Sequence, residues 1–113
     1  MSAPSSPDDF RIEQRHRTDG ATVVSVFGEV DLSTADQLEA ALQGLAAGRR
    51  TAVLDLSRVE FMDSSGIGVL VRATRDAERD GWSFLLAAEL SEAVSRLFTV
   101  SGMHDYLKVD AGS

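Results

Sequence analysis

The feature that most constrains this chain is a short apolar run, Ala52-Val53-Leu54 with Leu56, followed after a polar interval by apolar residues at helical spacing: Ile67, Leu70, Val71, Thr74 and Ala77. A run of that length reads as a central strand covered on both faces, and the spacing after it reads as an amphipathic helix packed back on the sheet. Gly81 closes that helix at a C-cap position. The alternation recurs along the chain. Residues 10–15 alternate as an edge strand, Thr18-Asp19-Gly20 supplies turn chemistry, and the valine-rich residues 22–27 complete an antiparallel hairpin. Residues 28–34 read as a loop. Thr34 with Gln37 matches a capping box ahead of Leu38, Ala41, Leu42 and Leu45, a helix that runs to Gly48. Residues 82–88 form another apolar strand, Ser91 opens a short helix through Val94, Leu97 and Phe98 to Ser101-Gly102, and residues 106–109 read as a last strand. The predicted fold is α/β: a mixed sheet with an antiparallel N-terminal hairpin, then alternating helix and strand with crossover connections, helices packed on the sheet.

The junction between the central strand and its helix is the stretch Phe61-Met62-Asp63-Ser64-Ser65-Gly66-Ile67-Gly68-Val69-Leu70. Two hydroxyls and a carboxylate fall where the first backbone N–H groups of a helix lack intrahelical partners. Two readings follow. Asp63 or Ser64 caps the helix, as such residues commonly do, or Ser64 accepts a phosphate, which a helix N-terminus favours. The topology also brings the loop carrying Glu29 and Asp31 to the same end of the sheet, so that the two loops form one surface.

Composition narrows the classes. With 113 residues, 43% of them apolar, the chain makes one domain over residues 10–113, preceded by a flexible tail, residues 1–9, that holds both prolines. The absence of cysteine excludes disulfides and thiol chemistry and fits a reducing, cytoplasmic setting. No leader or membrane-length apolar run is present, so no membrane partner is expected. A net charge of -7, with eleven scattered basic residues, argues against nucleic acid.

Catalysis is not expected. Met62-Asp63-Ser64-Ser65-Gly66 has the look of a hydrolase nucleophile elbow, but a methionine replaces the leading glycine, and a serine nucleophile needs a histidine base. His16 and His104 are the two histidines, and neither has a metal-ligand partner at suitable spacing. Glu29 and Asp31 read as carboxylates complementing a helix dipole. Asp55 reads as a strand-end aspartate in water or bonded to a nearby loop. Gly66 and Gly68 are not followed by the lysine of a P-loop, so no nucleotide cofactor or metal is expected.

Gly28-Glu29-Val30-Asp31, Val53-Leu54-Asp55-Leu56, the stretch from Phe61 to Leu70, and Ala93-Val94-Ser95-Arg96-Leu97-Phe98 with Ser101-Gly102 resemble, in order and spacing, the anti-sigma factor antagonist family of STAS domains. The resemblance implies that Ser64 is the phosphoacceptor of an anti-sigma factor that is itself a serine kinase. It implies that Ser65 helps cap the helix, that Asp63 orients the acceptor hydroxyl, and that Asp31, Asp63, Ser65 and Gly66 belong to the partner surface. The cycle so implied has an unphosphorylated form that sequesters the anti-sigma factor and frees a sigma factor, and a PP2C-type phosphatase that restores it. Family members commonly continue into a further helix after the last strand, which this sequence lacks, leaving the oligomeric state open. The alternative on the same fold is a binding subunit of lipid-transport or other signalling machinery that is not phosphorylated.

Overall fold

A computed structural model describes residues 10–110; the predicted tail, residues 1–9, lies outside the described residues, as do the last three. Eight elements follow one another: β1 (Arg11–His16), β2 (Thr22–Val30), α1 (Ala35–Ala47), β3 (Ala52–Met62), α2 (Ser64–Asp80), β4 (Phe84–Leu90), α3 (Glu92–Ser101) and α4 (Met103–Tyr106). The sheet order is β1-β2-β3-β4. β1 and β2 are antiparallel, and the β2–β3 and β3–β4 pairs are parallel. In the hairpin turn, the Arg17 N–H donates to the Ala21 carbonyl at 2.7 Å and Gly20 takes φ 95°, a value that glycine adopts without strain.

Crossovers between parallel strands are right-handed, and both step in the same direction across the sheet, so the helices collect on one face. The main core accordingly joins Leu38 and Leu42 of α1, Val69 and Leu70 of α2 and Phe98 of α3 to Val24, Leu54 and Leu56 of the sheet. Among the described residues the opposite face holds only a small cluster, Ala21, Val23 and Val53 with Leu85 and Ala87 against it, and no helical residue. β3 is therefore helix-covered on one side, not on both. Farther along the uncovered face, the Arg11 guanidinium stacks 3.9 Å from the centre of the Phe27 ring, with Arg58 at 5.8 Å on the same ring.

The elements differ from expectation at four places. β2 continues through Gly28, Glu29 and Val30, because Gly28 (φ 92°) forms a bulge inside the ladder instead of ending it. β3 continues to Met62, and Asp55 lies inside it, accepting the Ser57 N–H at 2.9 Å. β4 begins two residues later than expected, at Phe84, leaving Trp82 buried ahead of it. The expected last strand is not formed as such. Gly102 ends α3 at φ 77°, the chain makes one more helical turn that buries Met103 and Leu107, and only Val109 bridges to Leu86. Arg17 then ties this segment to the hairpin, its guanidinium meeting the Asp110 carboxylate at 2.7 Å.

Candidate functional site

The parallel register of β2 and β3 builds the site. Glu29 stands beside Phe61 and Val30 beside Met62, and the Asp63 N–H donates to the Val30 carbonyl at 3.1 Å. Both strands thus deliver their loops to the same level, and the loop that begins at Asp31 lies next to the start of α2.

Asp63 is the N-cap of α2. Its extended backbone (φ -115°, ψ -166°) lets the carboxylate accept the Ser65 N–H at 2.8 Å, while its carbonyl receives the N–H groups of Gly66 at 3.0 Å and Ile67 at 3.3 Å. Ser65 is therefore capped through its backbone and is not itself the cap. The carboxylate is engaged with Ser65, and makes no hydrogen bond to the Ser64 hydroxyl. Ser64 is the first residue of the helix, is exposed, and its hydroxyl bonds to no described residue. Gly66 is buried against the sheet: a β-carbon there would stand 2.5 Å from Met62 Cγ and 3.0 Å from Val30 Cγ1. The absence of a side chain there lets the first turn of α2 lie close against Met62 and Val30.

The neighbouring loop is fixed by its own side chains. Asp31 Oδ1 accepts the Ser33 hydroxyl at 2.7 Å and the Ser33 N–H at 3.0 Å. The hydrogen bond from the Ser33 hydroxyl is the main reason that the Asp31 carboxyl lies below the usual carboxylate range. Thr34 does not form the expected capping box. Its hydroxyl turns back to donate to the Glu29 carbonyl at 2.8 Å and accepts the Asp31 N–H at 3.0 Å, closing the loop on β2.

Two apolar side chains at this end of the sheet were given no role by the sequence reading. Leu32 is 82% exposed and Phe61 47% exposed. The signal was available, since a leucine between Asp31 and Ser33 in a polar loop has no core to enter. The histidines are elsewhere. His16 is in register with Thr22, roughly 25 Å down β2 from Val30 at strand rise, and His104 lies in α4 against Phe98. Among the described residues no group of three or more His, Cys, Asp or Glu could hold a metal ion, and no helix is long and apolar enough to cross a membrane.

Residues 13–109 match the family model described as "Mlab, STAS domain". The anti-sigma-B factor antagonist of Bacillus subtilis is 34% identical over 80% of this chain and 82% of its own length. Among solved structures, an anti-sigma factor antagonist from Mycobacterium paratuberculosis superposes with TM-score 0.81 at 29% identity, covering 96% of this chain and 91% of that one. The anti-sigma factor antagonist SpoIIAA in its unphosphorylated form superposes with TM-score 0.70 at 25% identity, with 90% of each chain covered. With nearly the whole described chain matched in sequence and in fold, the chain belongs to the anti-sigma factor antagonist family of STAS domains.

Proposed function

We propose that this chain is an anti-sigma factor antagonist that binds a kinase-type anti-sigma factor through the Asp31 loop and the start of α2, so releasing a sigma factor. Phosphorylation of Ser64 by that kinase ends the interaction, and a PP2C-type phosphatase restores it. The observation that carries the reading is the exposed, unbonded hydroxyl of Ser64 at the first position of α2, beside the loop of Asp31. The names of the relatives support the partner class, and the description of SpoIIAA as unphosphorylated supports a phosphorylation cycle.

The switch needs no refolding. Unmodified, Ser64 is small and neutral and can be covered together with Leu32 and Phe61. A phosphate adds roughly -1.5 to -2 charges next to Asp63. Burying an uncompensated charge costs on the order of 3 to 5 kcal/mol, which corresponds to a loss of affinity of roughly a hundredfold or more. The N-terminal end of α2 meanwhile favours the phosphate within the free chain. The chain acts by docking and performs no chemistry itself.

The test is incubation with candidate kinase-type anti-sigma factors and ATP, followed by phosphopeptide mass spectrometry and binding measurements on Ser64→Ala and Ser64→Asp. A phosphate on Ser64, with Ser64→Asp bound at least tenfold more weakly than Ser64→Ala, is the expected result. Equal binding of the two variants removes the mechanism. Tight binding without any phosphate transfer points instead to a non-phosphorylated STAS binding subunit.

A further inference from the structure

The two edges of the sheet are finished differently. On β4 the segment after α4 closes part of the ladder, the Leu86 N–H donating to the Lys108 carbonyl and the Asp110 N–H to the Leu86 carbonyl, each at 2.8 Å. β1 ends the sheet on the other side, and no described residue bonds to its outer backbone groups. Its pairing with β2 is unbroken by any bulge, and it contains neither proline nor lysine, two common guards of an exposed edge.

The hairpin determines which groups of β1 are free. The Arg17 N–H donates to Ala21, so the backbone of Arg17 faces β2, and in an antiparallel ladder every second residue does the same. Arg15, Glu13 and Arg11 therefore direct their backbone groups to β2, while Ile12, Gln14 and His16 turn theirs outward. Side chains alternate across the sheet with the same period. Ile12 packs against the main core, whereas Arg11 stacks on Phe27 on the uncovered face, which puts Glu13 and Arg15 on that face as well.

An outward-facing residue can pair only with another of its kind, which limits how β1 can meet a second β1 about a two-fold axis. Centred on Glu13, the pairing opposes Glu13 to itself and Arg11 to Arg15, all like charges. Centred on Ile12, it opposes Arg11 to Glu13, groups already bonded at 2.7 Å within each chain, and leaves Arg15 facing no residue of the strand. Centred on Gln14, it uses the strand from Ile12 to His16 and brings Glu13 of each copy opposite Arg15 of the other, in the closer, non-hydrogen-bonded positions. Arg15 bonds to no described residue of its own chain, and Glu13 offers a second carboxylate oxygen beside the one that Arg11 holds. The like charges Arg11 and Arg17 meet at the ends of this pairing, where each already has a carboxylate of its own.

From an open edge whose backbone parity and charges complement themselves in one register, we infer that two copies of this chain pair antiparallel along β1, with Gln14 on the two-fold axis, and join their sheets into one. The pairing supplies roughly six main-chain hydrogen bonds over a contact smaller than that of a standard stable dimer, so the association is weak and concentration-dependent. It needs neither a partner protein nor modification of Ser64, and so stands apart from the phosphorylation switch.

Sedimentation equilibrium of the full chain from about 10 µM to about 2 mM, alongside amide hydrogen exchange, tests the pairing. The expected result is a monomer–dimer equilibrium with a dissociation constant on the order of 0.1 to 1 mM, with the protection gained in β1 confined to the amides of Ile12, Gln14 and His16. Arg15→Glu and Glu13→Arg each set like charges opposite one another at both positions and should each weaken pairing by about tenfold or more. An equimolar mixture of these two variants restores both opposite-charge pairs and should associate within about threefold of the unaltered chain. Gln14→Pro removes an outward N–H without touching the β2 ladder and should abolish pairing while circular dichroism is unchanged. A chain that stays monomeric throughout, pairing that persists in Arg15→Glu or in folded Gln14→Pro, or failure of the mixture to recover would each overturn the assignment.

Discussion

The Asp63 carboxylate meets the Ser65 backbone N–H at 2.8 Å, and this hydrogen bond starts α2. Replacing Asp63 with alanine removes the cap and should lower stability by about 0.5 to 2 kcal/mol in urea unfolding. Asp63→Asn keeps an accepting oxygen and should recover most of that loss. Because the asparagine variant separates capping from charge, a change in its binding to a partner reports on charge alone.

Gly66 and Gly68 make a second, internally controlled comparison. A methyl group at Gly66 collides with Met62 and Val30, both buried, and Gly66→Ala should cost about 1 to 3 kcal/mol. At Gly68 the same methyl group meets only the guanidinium of Arg72, at 3.3 Å, which can swing aside. Gly68→Ala should be neutral or stabilising by up to about 1 kcal/mol, as alanine is the better helix former. Thermal melts of the two variants check the contrast.

Leu32 is 82% exposed and Phe61 47% exposed, so serine should change stability by no more than about 0.5 kcal/mol at position 32 and by about 1 kcal/mol at position 61, where part of the ring is covered within β3. If the Asp31 loop and the start of α2 form the docking surface, each substitution should weaken the complex with an anti-sigma factor by about tenfold or more. Calorimetry on the free chain alongside a binding titration distinguishes lost docking from lost folding.

Asp31 predicts a pH response of defined sign. Its carboxyl is depressed below the ordinary 3.8 by the Ser33 hydroxyl, so its contribution to folding is fully present above that value and disappears as pH falls through the lower, folded-state value. NMR titration of the Asp31 side chain should show the depression. Ser33→Ala should return the midpoint toward 3.8 while leaving the β2–β3 ladder intact.

The sequence revealed the element order from β1 to α3 because each of the three longer helices carries its own stripe and stop signal. Gly81 and Gly102 both take left-handed conformations at helix ends, as their positions suggest. What it concealed were places where tertiary context overrules local pattern. Gly28 looks like a turn residue, yet a bulge absorbs it and the strand continues. Ser57, Arg58 and Glu60 look like loop residues, yet they belong to β3 beyond its last pairing with β4, at Leu56 and Leu90, where one edge is held by β2 alone. Met103 and Leu107, four apart and both buried, carried the helical spacing that the strand reading of residues 106–109 overlooked.

The junction itself was legible because a polar cluster between a strand and a helix has few roles. Its division of labour was not. Whether Asp63, Ser64 or Ser65 supplies the cap depends on backbone angles that residue type does not determine, and Thr34 shows the same ambiguity, since its hydroxyl turns toward Glu29 and Asp31 instead of into α1.

The side-by-side alignment of Val30 with Met62 carries a further implication. Slipping one strand past the other by a single residue would turn the slipped strand's buried side chain outward and carry the two loops about 3.3 Å out of step. The spacing of the two loops is thus inherited from the interior. A substitution at an exposed loop position can change what the surface presents, while the separation of the two loops stays fixed by the demands of packing.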